Sequence, residues 1–220
     1  MAHGIELGLI VHFDDGSLLN CRLHAVAVAE YDAEAMEVLK ATRAKALELL
    51  NQPCRAIGHT LALLLLYGCQ AQGELDGAES VPFDTAAALE TARELAQPGD
   101  IGEIISFFLS LEILTDGWEN RLRSPAPSDW DRRTLALARY FVNRYWLQAV
   151  SDYDLYSRVK FLVIACLLLR TLGGDFVETA QLFSKEIEND ADNMDALLDA
   201  AYEHPAFTDA KLLGMLLYRP

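Results

Sequence analysis

The sequence predicts an all-α domain, an irregular multi-helix bundle of about eight or nine helices, with a short N-terminal β-hairpin in front of it. Three observations carry that expectation. Hydrophobic residues make up 52% of the 220 positions and charged residues only 23%, enough to bury a sizeable core. From Tyr31 onward the apolar residues recur at i, i+3, i+4 and i+7, the spacing of one helix face. The breaks between these stretches fall at Pro, Gly and Asp, residues that stop or cap helices. No repeat of constant period is present, which disfavours a solenoid. The chain therefore divides into an N-terminal extended or hairpin segment, 1–30, and a helical domain, 31–220.

In the first segment IELGLIVHF and SLLNCRLHAVAVA flank Asp14, Asp15 and Gly16, and a DG pair between apolar runs signals a hairpin. In the second run Leu19, Cys21, Leu23 and Ala25 alternate with Asn20, Arg22 and His24. The alanine-rich stretch from His24 to Glu30 fits a helix equally well. Asp32 is placed to cap a helix carrying Met36, Leu39, Ala46, Leu47 and Leu50, which stops near Asn51 and Pro53. A second helix, from about Cys54 to Gln72, is apolar on most faces between Leu61 and Leu66 and belongs at the centre of the core. Gly73 to Pro82 reads as a surface loop. Asp84 opens a third helix to about Ala96, closed by Gln97, Pro98 and Gly99.

Asp100 caps a fourth helix, IGEIISFFLSLEIL, and DGWENRLRSPAPSDW reads as a loop stiffened by Pro125 and Pro127. The most amphipathic helix follows, from about Asp131 to Val150, with Ala138, Phe141, Val142, Tyr145, Trp146 and Ala149 on one face. Asp152 opens the next, whose stripe is Leu155, Val159, Leu162, Cys166 and Leu169 and whose end is Gly173–Gly174. Phe176, Ala180, Phe183 and Ile187 mark another. Two short helices, about Asn193 to Tyr202 and Thr208 to Leu217, finish the chain on either side of Pro205.

The charge excludes whole classes of partner. With 18 Lys and Arg against 33 Asp and Glu the formal net charge is -15, so neither a nucleic acid backbone nor an anionic membrane surface is expected to bind. The longest apolar run, Leu61 to Tyr67, is far short of the roughly 20 residues needed to cross a bilayer. The first residues lack the basic start and small-residue cleavage site of a secretory signal. Cys21, Cys54, Cys69 and Cys166 form no CxxC pair, so no metal site is expected. Buried free thiols and a cytoplasmic location are the expectation.

Catalytic patterns are sparse. No GxxxxGK[ST] loop occurs, and Gly173–Gly174 lies between two helices, where it serves as a C-cap rather than a dinucleotide turn. His59 follows Cys54 by five residues, which on a helix turns it about 140° away. Glu186 and Glu188, two residues apart in SKEIEND, point about 200° apart and cannot act as a paired acid and base. Glu186 shares a face with Asp190, and a solvated face with ion pairs along the helix is the plain reading. The aromatic residues Tyr140, Phe141, Tyr145, Trp146, Tyr153, Tyr156 and Phe161 span two successive helices, threaded by Arg144, Arg158 and Arg170. An Arg enclosed by aromatic neighbours must find a carboxylate, and Glu186 or Glu188 would serve. Tyr140, Arg144, Tyr145, Arg158, Glu186 and Glu188 are thus the candidate network or pocket: a structural Arg–Glu network, or a pocket for a peptide or small ligand.

RYFVNRYWLQAVSDYDLYSRVKFLVIACLLLRTL, followed by AQLFSKEIENDADNMDALLDAAY, resembles the C-terminal helical region of the flagellin lysine-N-methylase family. There a YRYF-like helix precedes an acidic SDYD-like step, a long apolar helix and an S(K/R)EIEH-like segment. LKATRAKALELLNQPCRAIGHTLALLLLYG is similar to that family's middle region, and LLNCRLHAVAVAE to its CPxAARLAL-like stretch. The likeness spans most of residues 17–204 and is most specific over 139–202. Three features depart from the family: the N-terminal cysteine cluster of CxxxCCxx type is absent, Arg22 rather than Pro follows Cys21, and Asn189 stands in place of His after EIE. The family's iron–sulfur centre is therefore not expected here, and no catalytic residue is carried over. Arg144, Glu186 and Glu188 match family-like positions.

The resemblance implies a substrate-docking or accessory domain of a protein-lysine N-methyltransferase system handling flagellin, not catalytic alone, with S-adenosylmethionine as the possible cofactor. The chain is then the helical part of a longer protein or a short relative lacking the catalytic part. Two other readings stand beside it: a noncatalytic chaperone-like adaptor, protein-binding domain or homodimer, for which acidity and helicity suffice, and a small-ligand-binding helical domain using the Tyr–Arg cluster.

Overall fold

The structure is a computed structural model and describes residues 8–12, 18–22, 32–52 and 56–218. It divides into two units, Met1–Ala33 and Glu34–Pro220. In the first, the strands β1 (Gly8–His12) and β2 (Leu18–Arg22) pair antiparallel, with Leu9 opposite Cys21 and Val11 opposite Leu19. The expected turn at Asp14–Gly16 and the alternative helix from His24 to Glu30 lie outside the described residues, as do the facing of the strand side chains and the environment of Cys54.

The second unit is all-helical, with ten α-helices among the described residues: α1 (Ala33–Asn51), α2 (Ile57–Leu75), α3 (Thr85–Leu95), α4 (Ile101–Ser110), α5 (Asp116–Arg123), α6 (Arg133–Tyr145), α7 (Leu155–Leu172), α8 (Phe176–Phe183), α9 (Ala191–Glu203) and α10 (Asp209–Leu217). Most begin where a short polar side chain satisfies the orphan amides of the first turn. Asp84, Asp100, Thr115, Asp154, Asp175 and Asp190 each accept from a backbone N–H of the helix they open. Gly173 closes α7 at φ 61, where an L side chain is strained and where a Cβ would run into the Ala126 carbonyl.

Several boundaries differ from the expectation, each for a local reason. DGWENRLR is a helix, α5, not loop: Thr115 caps it, and Trp118 and Leu122 are buried at helical spacing. Eight residues with only two apolar anchors give too weak a periodicity to recognise in sequence. Gly73 is inside α2, which runs on to Leu75 because tertiary contacts outweigh glycine's low helix propensity. The α6 helix ends at Tyr145 and tightens into a 3-10 turn over Trp146–Val150. The cap of α7 is Asp154, not Asp152, after Tyr153 adopts φ 59. Cys166 is buried as expected, whereas Cys69 is exposed on α2.

Helix α7 is the centre of the bundle. Every one of its residues is buried except Tyr156 and Arg170. Helices α2, α6 and α9 lie against it, and α2 comes closest where Gly68 faces Val159. A Cβ at Gly68 would lie 2.6 Å from Val159 Cγ1. On the other side five helices each contribute one ring to an aromatic cluster: Phe108, Trp118, Phe141, Phe161 and Phe183, from α4 to α8. Phe183 is its hub, with ring centroids 6.3, 6.2, 6.2 and 6.0 Å from those of Phe108, Trp118, Phe141 and Phe161. No described helix is long and apolar enough to cross a membrane.

The contact at Gly68 is testable. Gly68→Ala forces α2 away from α7 and is expected to cost about 1–3 kcal/mol through overpacking, despite alanine's better helix propensity. Urea unfolding measures it, and a variant as stable as the wild type would show that the two helices are not in this close contact.

Candidate functional site

Immediately after Phe183 the helix widens into one π turn, Ser184–Glu188, sealed by an i to i+5 bond in which Asn189 N–H donates to the Ser184 carbonyl at 3.0 Å. Such turns are uncommon inside helices and recur at functional sites. Here the turn sends its two glutamates to different neighbours while Ile187 is buried in the core.

Glu188 faces α6. Its side chain is only 3% exposed, and its Oε1 accepts from Tyr145 Oη at 2.7 Å and from Tyr140 Oη at 3.0 Å. Arg144 lies over the same group: its Nε donates to Tyr145 Oη at 3.0 Å and stands 3.6 Å from Glu188 Oε1. The guanidinium carbon is 5.4 Å from the Tyr145 ring centroid and 6.0 Å from that of Tyr140. Arg144 nevertheless keeps 46% of its side chain in solvent, so the pair consists of a covered carboxylate and an accessible cation. Burial, together with the hydrogen bond to the Glu188 carboxylate, pushes the Tyr145 phenol well above its ordinary value, and Tyr140 shifts the same way. Both hydroxyls therefore remain donors at neutral pH. The spacing follows from sequence: Tyr140 and Arg144 sit one turn apart on α6 with Tyr145 next in the chain, while Phe141 is anchored in the aromatic cluster.

Glu186 faces the other way. It is fully buried, accepting from Leu114 N–H at 2.7 Å and from Thr115 Oγ1 at 2.5 Å. The expectation of a solvated face shared with Asp190 is thus corrected: the π turn directs Glu186 to the α4–α5 connection, and Asp190 is spent capping α9. Asn193, buried beside it, donates to the carbonyls of Glu186 and Glu112 at 2.8 Å each and accepts from Glu112 N–H at 3.1 Å. Thr115 and Asn193 escaped the sequence reading, although Thr115 precedes an acidic first turn in the manner of an N-cap.

Arg158 is not part of the Glu188 cluster. It is buried on α7 and makes a two-point pair with Asp152, 3.1 and 2.7 Å, and a third bond to the Asp154 carbonyl. It holds the acidic step in front of α7, where Gln72 of α2 also accepts from Leu155 and Tyr156 N–H at 2.8 and 3.0 Å. Arg170 lies elsewhere too: its guanidinium carbon is 4.6 Å from the Trp130 ring centroid and its Nε donates to the Ser128 carbonyl at 3.3 Å. Of the three arginines among the aromatics, Arg144 alone meets Glu188. Lys160, also buried on α7, reaches Asp209 at 3.1 Å.

A cavity of about 500 Å³ lies away from these residues, walled by Ile101, Leu167 and Met215 and bordered by Asp100, Arg170 and Thr171. None of its lining residues belongs to the Glu188 cluster, so a ligand pocket built on Tyr140, Arg144 and Tyr145 is not where this cavity lies. Among the described residues no group of three or more His, Cys, Asp or Glu is placed to hold a metal ion, and Cys69 and Cys166 do not fit as ligands of a shared cluster, one being exposed and the other buried.

The fold and the cluster define an all-α bundle in which a π turn delivers a buried carboxylate to two tyrosines and an exposed arginine. No family model, no curated protein and no solved structure matches the chain.

Two measurements follow from this geometry. Glu186→Ala leaves Leu114 N–H and the Thr115 hydroxyl without their acceptor and is expected to cost about 1–3 kcal/mol in urea unfolding, with Glu186→Gln costing less because one carbonyl oxygen remains. Equal stability of Glu186→Ala and wild type would contradict the bridging role. Burial raises the phenols of Tyr67, Tyr145, Tyr156 and Tyr202 above 10.0. As pH rises past about 10 the unfolded chain releases phenolic protons that the folded chain keeps, so stability, constant in this respect at lower pH, must fall. Unfolding free energies across that range should decline, and less steeply in Tyr145→Phe.

Proposed function

We propose that this chain is a substrate-docking domain of a protein-lysine methylation system of the flagellin lysine-N-methylase type, binding a lysine-bearing protein surface rather than performing the transfer by itself. The observation that carries the reading is the covered carboxylate of Glu188 beneath the accessible guanidinium of Arg144. The two segments on which the resemblance is most specific, RYFVNRYW and SKEIE, supply all four residues of this cluster. Its chemistry suits an ammonium group: a carboxylate to receive the charge and two phenol rings whose faces attract cations. Arg144 occupies that position in the free protein, and a substrate lysine would exchange with it at Glu188. The formal net charge of -15 favours encounter with a lysine-bearing partner. S-adenosylmethionine enters this reading through the resemblance alone.

Thermal melting of the chain with and without flagellin, and with and without S-adenosylmethionine, tests it. A ligand at about 100 times its dissociation constant adds about 2.7 kcal/mol, a shift of several degrees for a domain of this size. Flagellin is expected to raise the melting temperature of the wild type, acetylation of its lysines to remove the effect, and Glu188→Gln to weaken it. A further shift with S-adenosylmethionine would place the methyl donor on this chain as well. No shift with either would overturn the reading.

A further inference from the structure

The cavity beside α7 has the build of a ligand site, and the state of its polar groups singles out a class. Its walls come from three helices and two connections: Ile101 at the start of α4, Leu167 on α7, Met215 on α10, and Pro98 and Pro127 from the α3–α4 and α5–α6 connections. Its volume, about 500 Å³, is that of a small-molecule pocket. The space does not come from loose packing, because the elements around it meet backbone to backbone. A Cβ on Gly214 would lie 1.8 Å from the Gln97 carbonyl oxygen, and one on Gly99 2.8 Å from that of Lys211. Backbone bonds hold the walls in place. Gln97 N–H donates to the Ala210 carbonyl at 2.9 Å, and Ala126 and Ser128 N–H donate to the carbonyls of Leu172 and Arg170 at 3.2 Å each.

The three polar side chains that border the cavity are already engaged by the protein itself. Thr171 Oγ1 donates to the Leu167 carbonyl at 2.9 Å, one turn earlier on α7. Asp100, exposed at the N-terminus of α4, accepts from Gly102 N–H at 2.8 Å. The Arg170 guanidinium stacks on Trp130, and its Nε donates to the Ser128 carbonyl. Pro98 and Pro127 bring no amide N–H into the lining. A charged ligand would therefore have to leave its charge in a mostly apolar space without a counter-group of its own, and an unpaired charge is costly to bury. An uncharged apolar molecule makes no such demand, and it gains by removing Ile101, Leu167 and Met215 from water. Tyr218, 55% exposed, forms part of the rim.

We propose that this cavity binds a small uncharged apolar molecule, its hydrocarbon body seated between Ile101, Leu167 and Met215. The site shares no residue with the Glu188 cluster and does not depend on the docking function proposed above.

Fluorescence titration of the full chain with phenylnaphthylamine, an uncharged probe that brightens in apolar surroundings, tests the assignment. Anilinonaphthalene sulfonate, the same body carrying a negative charge, tests the class. Phenylnaphthylamine is expected to bind one per chain, and the sulfonate about tenfold or more weaker, because its charge finds no free partner in the cavity. Met215→Trp and Ile101→Trp fill the space from α10 and from α4, and each should abolish binding of the uncharged probe. A melting curve on each variant separates a filled cavity from a lost fold. Failure of the wild type to bind phenylnaphthylamine, equal affinity for the sulfonate, or full binding by a folded filled variant would each overturn the proposal.

Discussion

A helix buried on all sides is the constraint around which this molecule is organised. Along α7 only Tyr156 and Arg170 reach solvent, so every flank must be covered by another helix and its buried charges must be paired from within. Ser157, Arg158, Lys160 and Thr171 are the polar residues thus enclosed. Arg158 turns back on the acidic step before its own helix, Lys160 reaches Asp209 at the start of α10, and Thr171 bonds the Leu167 carbonyl one turn earlier. Lys160 thereby ties α7 to α10, and the glycine at 68 brings α2 into direct contact with its first half at Val159. The arrangement is tight because a buried cation without a partner costs far more than the packing of one side chain gains.

The aromatic cluster translates this packing into a site. Phe183 touches rings from four other helices and is locked in position. The chain just beyond it must satisfy two fixed surfaces at once, the α4–α5 connection and the flank of α6. There the helix widens into a π turn, with Glu186 at the first surface, Glu188 at the second and Ile187 buried. Glu186 thereby becomes a structural bridge, and Glu188 becomes a carboxylate presented to tyrosines. The neighbouring residues of one short motif thus carry different duties, one holding the bundle together and the other offering a charge beneath an accessible arginine.

The two candidate sites differ in physical character. The Glu188 cluster is polar, a covered carboxylate held by two phenols beneath Arg144. The cavity beside α7 is mostly apolar, bordered by Asp100, Arg170 and Thr171. They use different helices, and α7 passes close to both: Phe161 backs Tyr145, with ring centroids 5.3 Å apart, and Leu167 walls the cavity.

The all-helical class was legible from the chain because periodicity and caps are local properties. The spacing of Leu155, Val159, Leu162, Cys166 and Leu169, the Asp residues at 84 and 100, and the glycine pair at 173–174 needed no tertiary information. The pairing of Arg144 with a glutamate of SKEIE was also within reach, since an arginine among aromatics demands a carboxylate and few were near. Which glutamate, and which arginine, was not. Spacing on an ideal helix cannot foresee a π turn, whose existence depends on surfaces brought together from residues some seventy positions apart, as Leu114 and Thr115 meet Glu186. Helix α5 was hidden for the same reason: Trp118 and Leu122 are too few to mark a period, and their burial, Trp118 against Phe108 and Phe183, is what makes them a helix face. The cavity belongs wholly to tertiary structure, because its walls are contributed by separate elements whose sequences each read as ordinary core. Sequence alone determined the all-helical class, the longer helices and that their apolar faces would have to meet; only the packed bundle decided which polar groups were buried together, because that depends on distances between helices that no local pattern encodes.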